Sequence, residues 1–191
     1  MIDFFLEFDR DLFLELNSYH APWLDILMMF ITKTYVWIPL YAVIAFFIFK
    51  LHGKQGFLVL ICIALTILLA DQITSTLMKP YFARLRPAHD PELAGLVHIV
   101  DDYRGGKFGF ASSHAANTFG LAVFVFLLFR QRTRTVRWIF VWALLVSYSR
   151  IYLGVHYPGD IIAGGVVGAI CAVGCFVLYQ KISFVINKPE L

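Results

Sequence analysis

Charge is scarce in this chain. Asp, Glu, Lys and Arg make up 15% of its 191 residues, against 60% hydrophobic ones. A soluble domain is about a quarter charged and roughly half apolar. With a mean hydropathy of +0.74, that scarcity excludes an ordinary soluble domain and predicts one membrane domain over residues 1–191. The excess of base is also small, 16 Lys and Arg against 13 Asp and Glu, a net +3. That argues against a nucleic-acid partner. The three cysteines, Cys62, Cys171 and Cys175, all lie in apolar runs. They read as buried or lipid-facing thiols, not as a disulfide framework. Cys171 and Cys175 are one helical turn apart, but no His or carboxylate accompanies them. The start, MIDFFLEFDRDLF, lacks the basic stretch of a signal peptide, and no internal repeat is visible.

Long apolar runs are what the chain does have. A spanning helix needs about 20 mostly apolar residues, and residues 56–78, 114–129, 138–154 and 160–179 are the clear candidates. A fifth, 35–49, is shorter. Residues 23–32 would lengthen it, although Lys33 and Thr34 interrupt the run. Residues 1–20 differ: Phe4, Phe5, Phe8, Leu12 and Leu16 recur at helical spacing, with Glu7, Asp9, Arg10, Asp11 and Glu15 between them. That pattern predicts an amphipathic helix lying in the interface. The expected fold is all-α: a polytopic transmembrane helical bundle of five spans plus the interfacial helix, with a sixth span at the N-terminus as the alternative.

The short loops give an orientation. Four arginines lie in 130–137, two lysines in 50–54, and Lys181 and Lys188 in the C-terminal tail. The positive-inside rule puts these in the cytoplasm. The loop 79–113 and the segment after residue 154 then share the outer face.

Three polar clusters meet there: KPYFARLRP with Lys79, Arg84 and Arg86; FASSHAAN with Ser112, Ser113 and His114 opening a helix; and SRIYLGVHYPGD with Arg150, His156 and Asp160. Charges beside long apolar runs are costly unless they pair or act. Arginines suit bidentate phosphate binding, lysine adds a point charge, and a helix N-terminus adds free N–H groups. Asp160, four residues after His156 across Pro158 and Gly159, can accept from one ring nitrogen and leave the other nucleophilic. A second histidine could then protonate the leaving oxygen. Taken singly, Arg150 reads equally well as a snorkelling arginine and Lys79 as an interfacial anchor. Asp71 reads as a helix–helix hydrogen-bonding residue near Gln72, Thr74 and Ser75. His89, Asp90, Glu92, His98, Asp101 and Asp102 could form a metal site, but their irregular spacing fits a solvated loop better.

These segments resemble a known family. Lys79-PYFARL-Arg86-Pro87, then Ala111-Ser112-Ser113-His114, then Ser149-Arg150-IYLGV-His156-YPG-Asp160 are similar to the three signatures of the type 2 phosphatidic acid phosphatases (PAP2), over about residues 56–180. The second signature departs from the usual Pro-Ser-Gly-His: Ala111 stands for Pro and Ser113 for Gly. The resemblance implies a lipid phosphatase without cofactor or metal. His156 would attack phosphorus and form a phosphohistidine, Asp160 would orient it, and His114 would act as acid and then as base. Lys79, Arg86 and Arg150, with Ser112 and the Ser113 amide, would hold the phosphate. The leading expected substrate is undecaprenyl pyrophosphate. Lipid A, phosphatidylglycerophosphate and phosphatidic acid are alternatives, as is phosphotransfer to another lipid. A non-enzymatic lipid carrier has no use for two such histidines. The implied location is the bacterial inner membrane, among membrane lipids, with the site on the outer or periplasmic face.

Overall fold

The computed structural model describes residues 2–187, with side chains from Phe4. Lys188, one of the tail lysines used for orientation, lies outside the described residues. Eight α-helices follow in chain order among the described residues: α1 (Ile2–Ser18), α2 (Pro22–Ile31), α3 (Ile38–His52), α4 (Gly56–Asp71), α5 (Lys79–Phe82), α6 (Ser113–Phe129), α7 (Ile139–Tyr152) and α8 (Pro158–Ile186). There is no β-strand among them, only an isolated antiparallel bridge between Leu85 and Phe108.

Local chemistry sets the boundaries. The interruption at Lys33 and Thr34 is a real break: α2 ends, a 3-10 turn covers Thr34–Trp37, and α3 starts with Pro39 in its first turn. Gly53, at φ 52, turns the chain from α3 into α4. Ser112 caps α6 in extended conformation, its Oγ accepting from Ala115 N at 3.5 Å. Between α4 and α5 the chain winds as a π-helix over Gln72–Met78, a geometry often found at functional sites. Asp71 accepts from Ser75 at 3.4 Å, along its own helix and not across to a neighbour.

Two helical stretches, Thr34–Phe82 (49 residues, turning at Gly53) and Pro158–Ile186 (29 residues), are long and apolar enough to cross a membrane. Large apolar side chains face outward on several helices, among them Ile26, Phe46, Ile61, Leu144 and Ile170. This is the surface an all-round apolar helix presents to lipid.

The central helix is α6, packed against α4, α7 and α8. Its approach to α8 is set by small residues. Gly164 and Gly168 lie so close to α6 that a Cβ on either would overlap a carbonyl oxygen, that of Ser112 or of Ala116. Four-residue spacing of small residues permits such backbone contact between membrane helices. It brings the starts of α6 and α8 together, as the Ser112 N–H donated to Asp160 O at 3.0 Å also shows.

The first helix has two faces. Phe4, Phe5 and Phe8 are exposed. The face toward the protein carries Phe13, stacked edge-on against Tyr157 at 5.4 Å, and buried Asn17, whose amide donates to the carbonyls of Ile151 (3.2 Å) and Tyr152 (2.8 Å).

Candidate active site

The third motif lies where α7 hands over to α8. Leu153 to Tyr157 form a tight buried loop, and Pro158 and Asp160 open α8. The Asp160 Oδ2 accepts from Tyr157 N at 3.1 Å and lies 3.2 Å from His156 Nδ1. Donation from Nδ1 leaves the Nε2 lone pair free. Burial, and then the charges of Arg86, Arg150, Lys79 and Arg84, hold the His156 imidazole well below its usual 6.5. It is therefore neutral at neutral pH, as a nucleophile must be. The chain passes this pair at Gly109, where a Cβ would lie 2.8 Å from Asp160 Oδ2 and 3.6 Å from His156 Nδ1.

Three cations surround the pair. Arg150 is 2% exposed, which excludes the snorkelling reading. Its Nη1 donates to Thr32 Oγ1 at 2.6 Å and its Nη2 to Tyr103 OH at 3.1 Å, while Nε has no partner. Arg86, 8% exposed, donates from Nε to Phe108 O at 3.0 Å. It is fixed by pairing of residues 84–86 with 107–109, through Arg86 N to Lys107 O at 3.1 Å and Gly109 N to Arg84 O at 2.9 Å. Lys79, just after the π-helical stretch, donates to Ser75 Oγ at 3.3 Å and to Ser113 Oγ at 2.9 Å. Among the described residues none of the three has a carboxylate within ion-pair distance. Buried uncompensated charge is expensive, so this arrangement calls for an anion.

His114, on the first turn of α6, faces an apolar cavity of about 370 Å³ that also touches Thr32, Trp37, Ile67, Asn117 and Trp142. Ser113 is the first residue of α6, where backbone N–H groups lack an intrahelical acceptor. The Ser112 amide donates to Asp160 O and its Oγ accepts from Ala115 N, so this fully buried residue joins the starts of α6 and α8 beside the cations.

Sequence reasoning missed several partners. Arg84, grouped in the sequence with Lys79 and Arg86, is no free cation: it donates from Nη1 to Asp160 Oδ1 at 2.9 Å and pairs through Nη2 with Asp9 at 2.8 Å. Its position between Lys79 and Arg86 was a usable signal. Asp9, Thr32 and Tyr103 gave none, being remote in sequence from the motifs they meet. The acidic and histidine residues of loop 89–102 do not converge. His89 meets Gly105 O, Asp90 accepts from Tyr157, Glu92 pairs with Arg10, His98 with Asp25 and Asp102 with Arg104.

Comparison with known proteins fits this geometry. The sequence profile of the PAP2 superfamily matches residues 58–184. The lipid A 4'-phosphatase of Bacteroides thetaiotaomicron is 45% identical over 171 residues, covering 88% of this chain and 75% of that protein. The undecaprenyl-diphosphatase of Sulfolobus acidocaldarius is 31% identical over 169 residues, covering 85% and 74%. The crystal structure of Aquifex aeolicus LpxE superposes with a TM-score of 0.62 at 26% identity, covering 90% of this chain and 93% of the other. With an all-helical bundle, two buried arginines and a half-buried lysine around a His–Asp pair, and a profile match over most of its length, this chain belongs to the PAP2 superfamily.

Proposed function

We propose that the protein is a phosphatase of lipid A 4'-phosphate, working through a phosphohistidine at His156. The observation that carries the proposal is the set of buried Arg86 and Arg150 with half-buried Lys79, without carboxylate partners, around a neutral His156 held by Asp160. Nε2 attacks phosphorus, the N–P bond forms, and the P–O bond to the lipid alcohol breaks as His114 gives that oxygen its proton. Water, deprotonated by His114, then breaks the N–P bond and releases inorganic phosphate. Fixed cations stabilise the transferring group at each step. The apolar cavity beside His114 suits a leaving group whose acyl chains remain in the bilayer.

The similarity to the Bacteroides lipid A 4'-phosphatase favours this substrate. Undecaprenyl pyrophosphate, the leading expectation from sequence, is the second reading, favoured by the Sulfolobus relative. Phosphate release by purified protein separates them: turnover of lipid A 4'-phosphate should exceed that of undecaprenyl pyrophosphate, phosphatidylglycerophosphate and phosphatidic acid, and should survive EDTA. Faster turnover of undecaprenyl pyrophosphate would favour the second reading. Loss in EDTA that magnesium or zinc restores would count against a purely histidine-and-cation mechanism.

The site is further assigned to the outer face of the inner membrane, in a bundle of five spans with α1 in the interface. Lys50 and Arg132 line one groove at the end of the bundle formed by the α3–α4 turn and the α6–α7 loop, and the motifs occupy the other end. A cysteine at exposed Ala94 should react with an impermeant thiol reagent in intact cells, and one at exposed Thr133 should not. The reverse pattern would place the site in the cytoplasm.

A further inference from the structure

We infer that Asp9 and Arg84 are positioning residues for the nucleophile: α1 completes the active site by holding Arg84, through Asp9, against Asp160. This rests on His156 being the nucleophile.

Each oxygen of Asp160 has a defined task. Oδ2 serves His156 and the Tyr157 amide, and Oδ1 takes the Arg84 guanidinium at 2.9 Å. Arg84 therefore limits rotation of the carboxylate that orients His156. Arg84 is itself held from three sides: by Asp160, by Asp9 Oδ2 at 2.8 Å, and by the Tyr157 ring, over which it lies 3.9 Å from the centroid. A planar guanidinium fixed by two carboxylates and an aromatic face has little freedom left. Asp9 has a second contact, since its Oδ1 accepts from Gly159 N at 2.7 Å. It thus grips the first turn of α8, the turn that carries Asp160. The fit is close: a Cβ on Gly159 would lie 2.7 Å from Asp9 Oδ2.

Charge points the same way. Arg84 alone beside Asp160 would draw off the negative charge that supports His156 as it becomes cationic during attack. Asp9 offsets Arg84, so Asp160 is oriented without being neutralised. The buried Phe13 and Asn17, one and two turns further along α1, dock the helix that delivers Asp9. Outer groups that orient a metal-bound histidine are typically worth about ten- to a hundredfold, and the same scale is expected for a nucleophilic histidine held through its carboxylate.

Steady-state kinetics on the full-length protein test this. Asp9→Asn should lower kcat about ten- to a hundredfold and leave KM within about twofold, because Asp9 acts on His156 and does not touch phosphate. Asp9→Glu should recover much of the loss. Arg84→Lys, which keeps the charge but loses the planar fork that meets both carboxylates while lying on the Tyr157 ring, should also lose kcat. Asp9→Asn added to Arg84→Ala should cost little more than Arg84→Ala alone, since both act through one contact chain. Wild-type kcat in Asp9→Asn, losses that multiply in the double variant, or a loss seen wholly in KM would overturn the inference. If Asp9→Asn does not fold, Arg84→Lys decides alone, and wild-type kcat there overturns it. His156→Ala is the control: retained turnover in that variant removes the nucleophile reading, whereas an inactive His156→Ala beside an unimpaired Asp9→Asn removes only this inference.

Discussion

His156→Ala should show no turnover above background on any phosphate ester, because it removes the only route to the N–P bond. His114→Ala should behave differently. A lipid alkoxide leaves poorly without a proton, while an aryl oxide such as nitrophenolate is stable enough to leave unaided. Proton donation typically contributes about a hundred- to ten-thousandfold. The loss in His114→Ala should therefore be near the top of that range on a lipid phosphate and much smaller on nitrophenyl phosphate. Asp160→Asn should fall between the two histidine variants, since it disturbs orientation and charge but keeps the nucleophile. Rates are to be compared under single-turnover conditions, so that chemistry limits them. Equal losses on both leaving groups in His114→Ala would remove its role as the acid.

Two glycine substitutions should separate site from scaffold. Gly109→Ala puts a methyl 2.8 Å from Asp160 Oδ2 and 3.2 Å from Arg86 Cγ. The flanking pairing of residues 84–86 with 107–109 limits relaxation, so the carboxylate must shift. A displacement near 1 Å in a reacting constellation can cost about a hundredfold, and activity should fall by at least that much while the protein stays folded. Gly168→Ala acts elsewhere, where the added methyl would meet the backbone carbonyl of Ala116 on α6. Overpacking commonly costs about 1–3 kcal/mol where side chains can yield, and a backbone wall yields less. The expected result is a marked drop in Tm in detergent and in the yield of folded protein. A Gly168→Ala protein with wild-type Tm would contradict the close α6–α8 approach.

What the sequence disclosed follows from how local each signal is. His156 and Asp160 are four residues apart across a helix start, so their partnership can be read from spacing alone. The clustering of all three motifs at one end followed from the basic loops at the other. Lys33 and Thr34 flagged the break between α2 and α3, but not that the chain would re-form as a 3-10 turn. Hidden from sequence were contacts made only by tertiary packing. Arg150 reaches Thr32 and Tyr103 from helices and loops far along the chain. Asp9 lies among other acids on a helix whose apolar residues suggested a single lipid-facing stripe. The second face, with Phe13 and Asn17 turned toward the protein, became visible only once α7 and α8 were in place.

The nucleophile is tested most directly by where phosphate is covalently held. His114→Ala, mixed with an aryl phosphate and quenched within a turnover, should carry one phosphoryl group that is acid-labile and base-stable, mapping by mass spectrometry to the peptide containing His156 and absent from the His156→Ala/His114→Ala double variant. An acid-stable phosphoenzyme, or labelling that persists once His156 is gone, would contradict it.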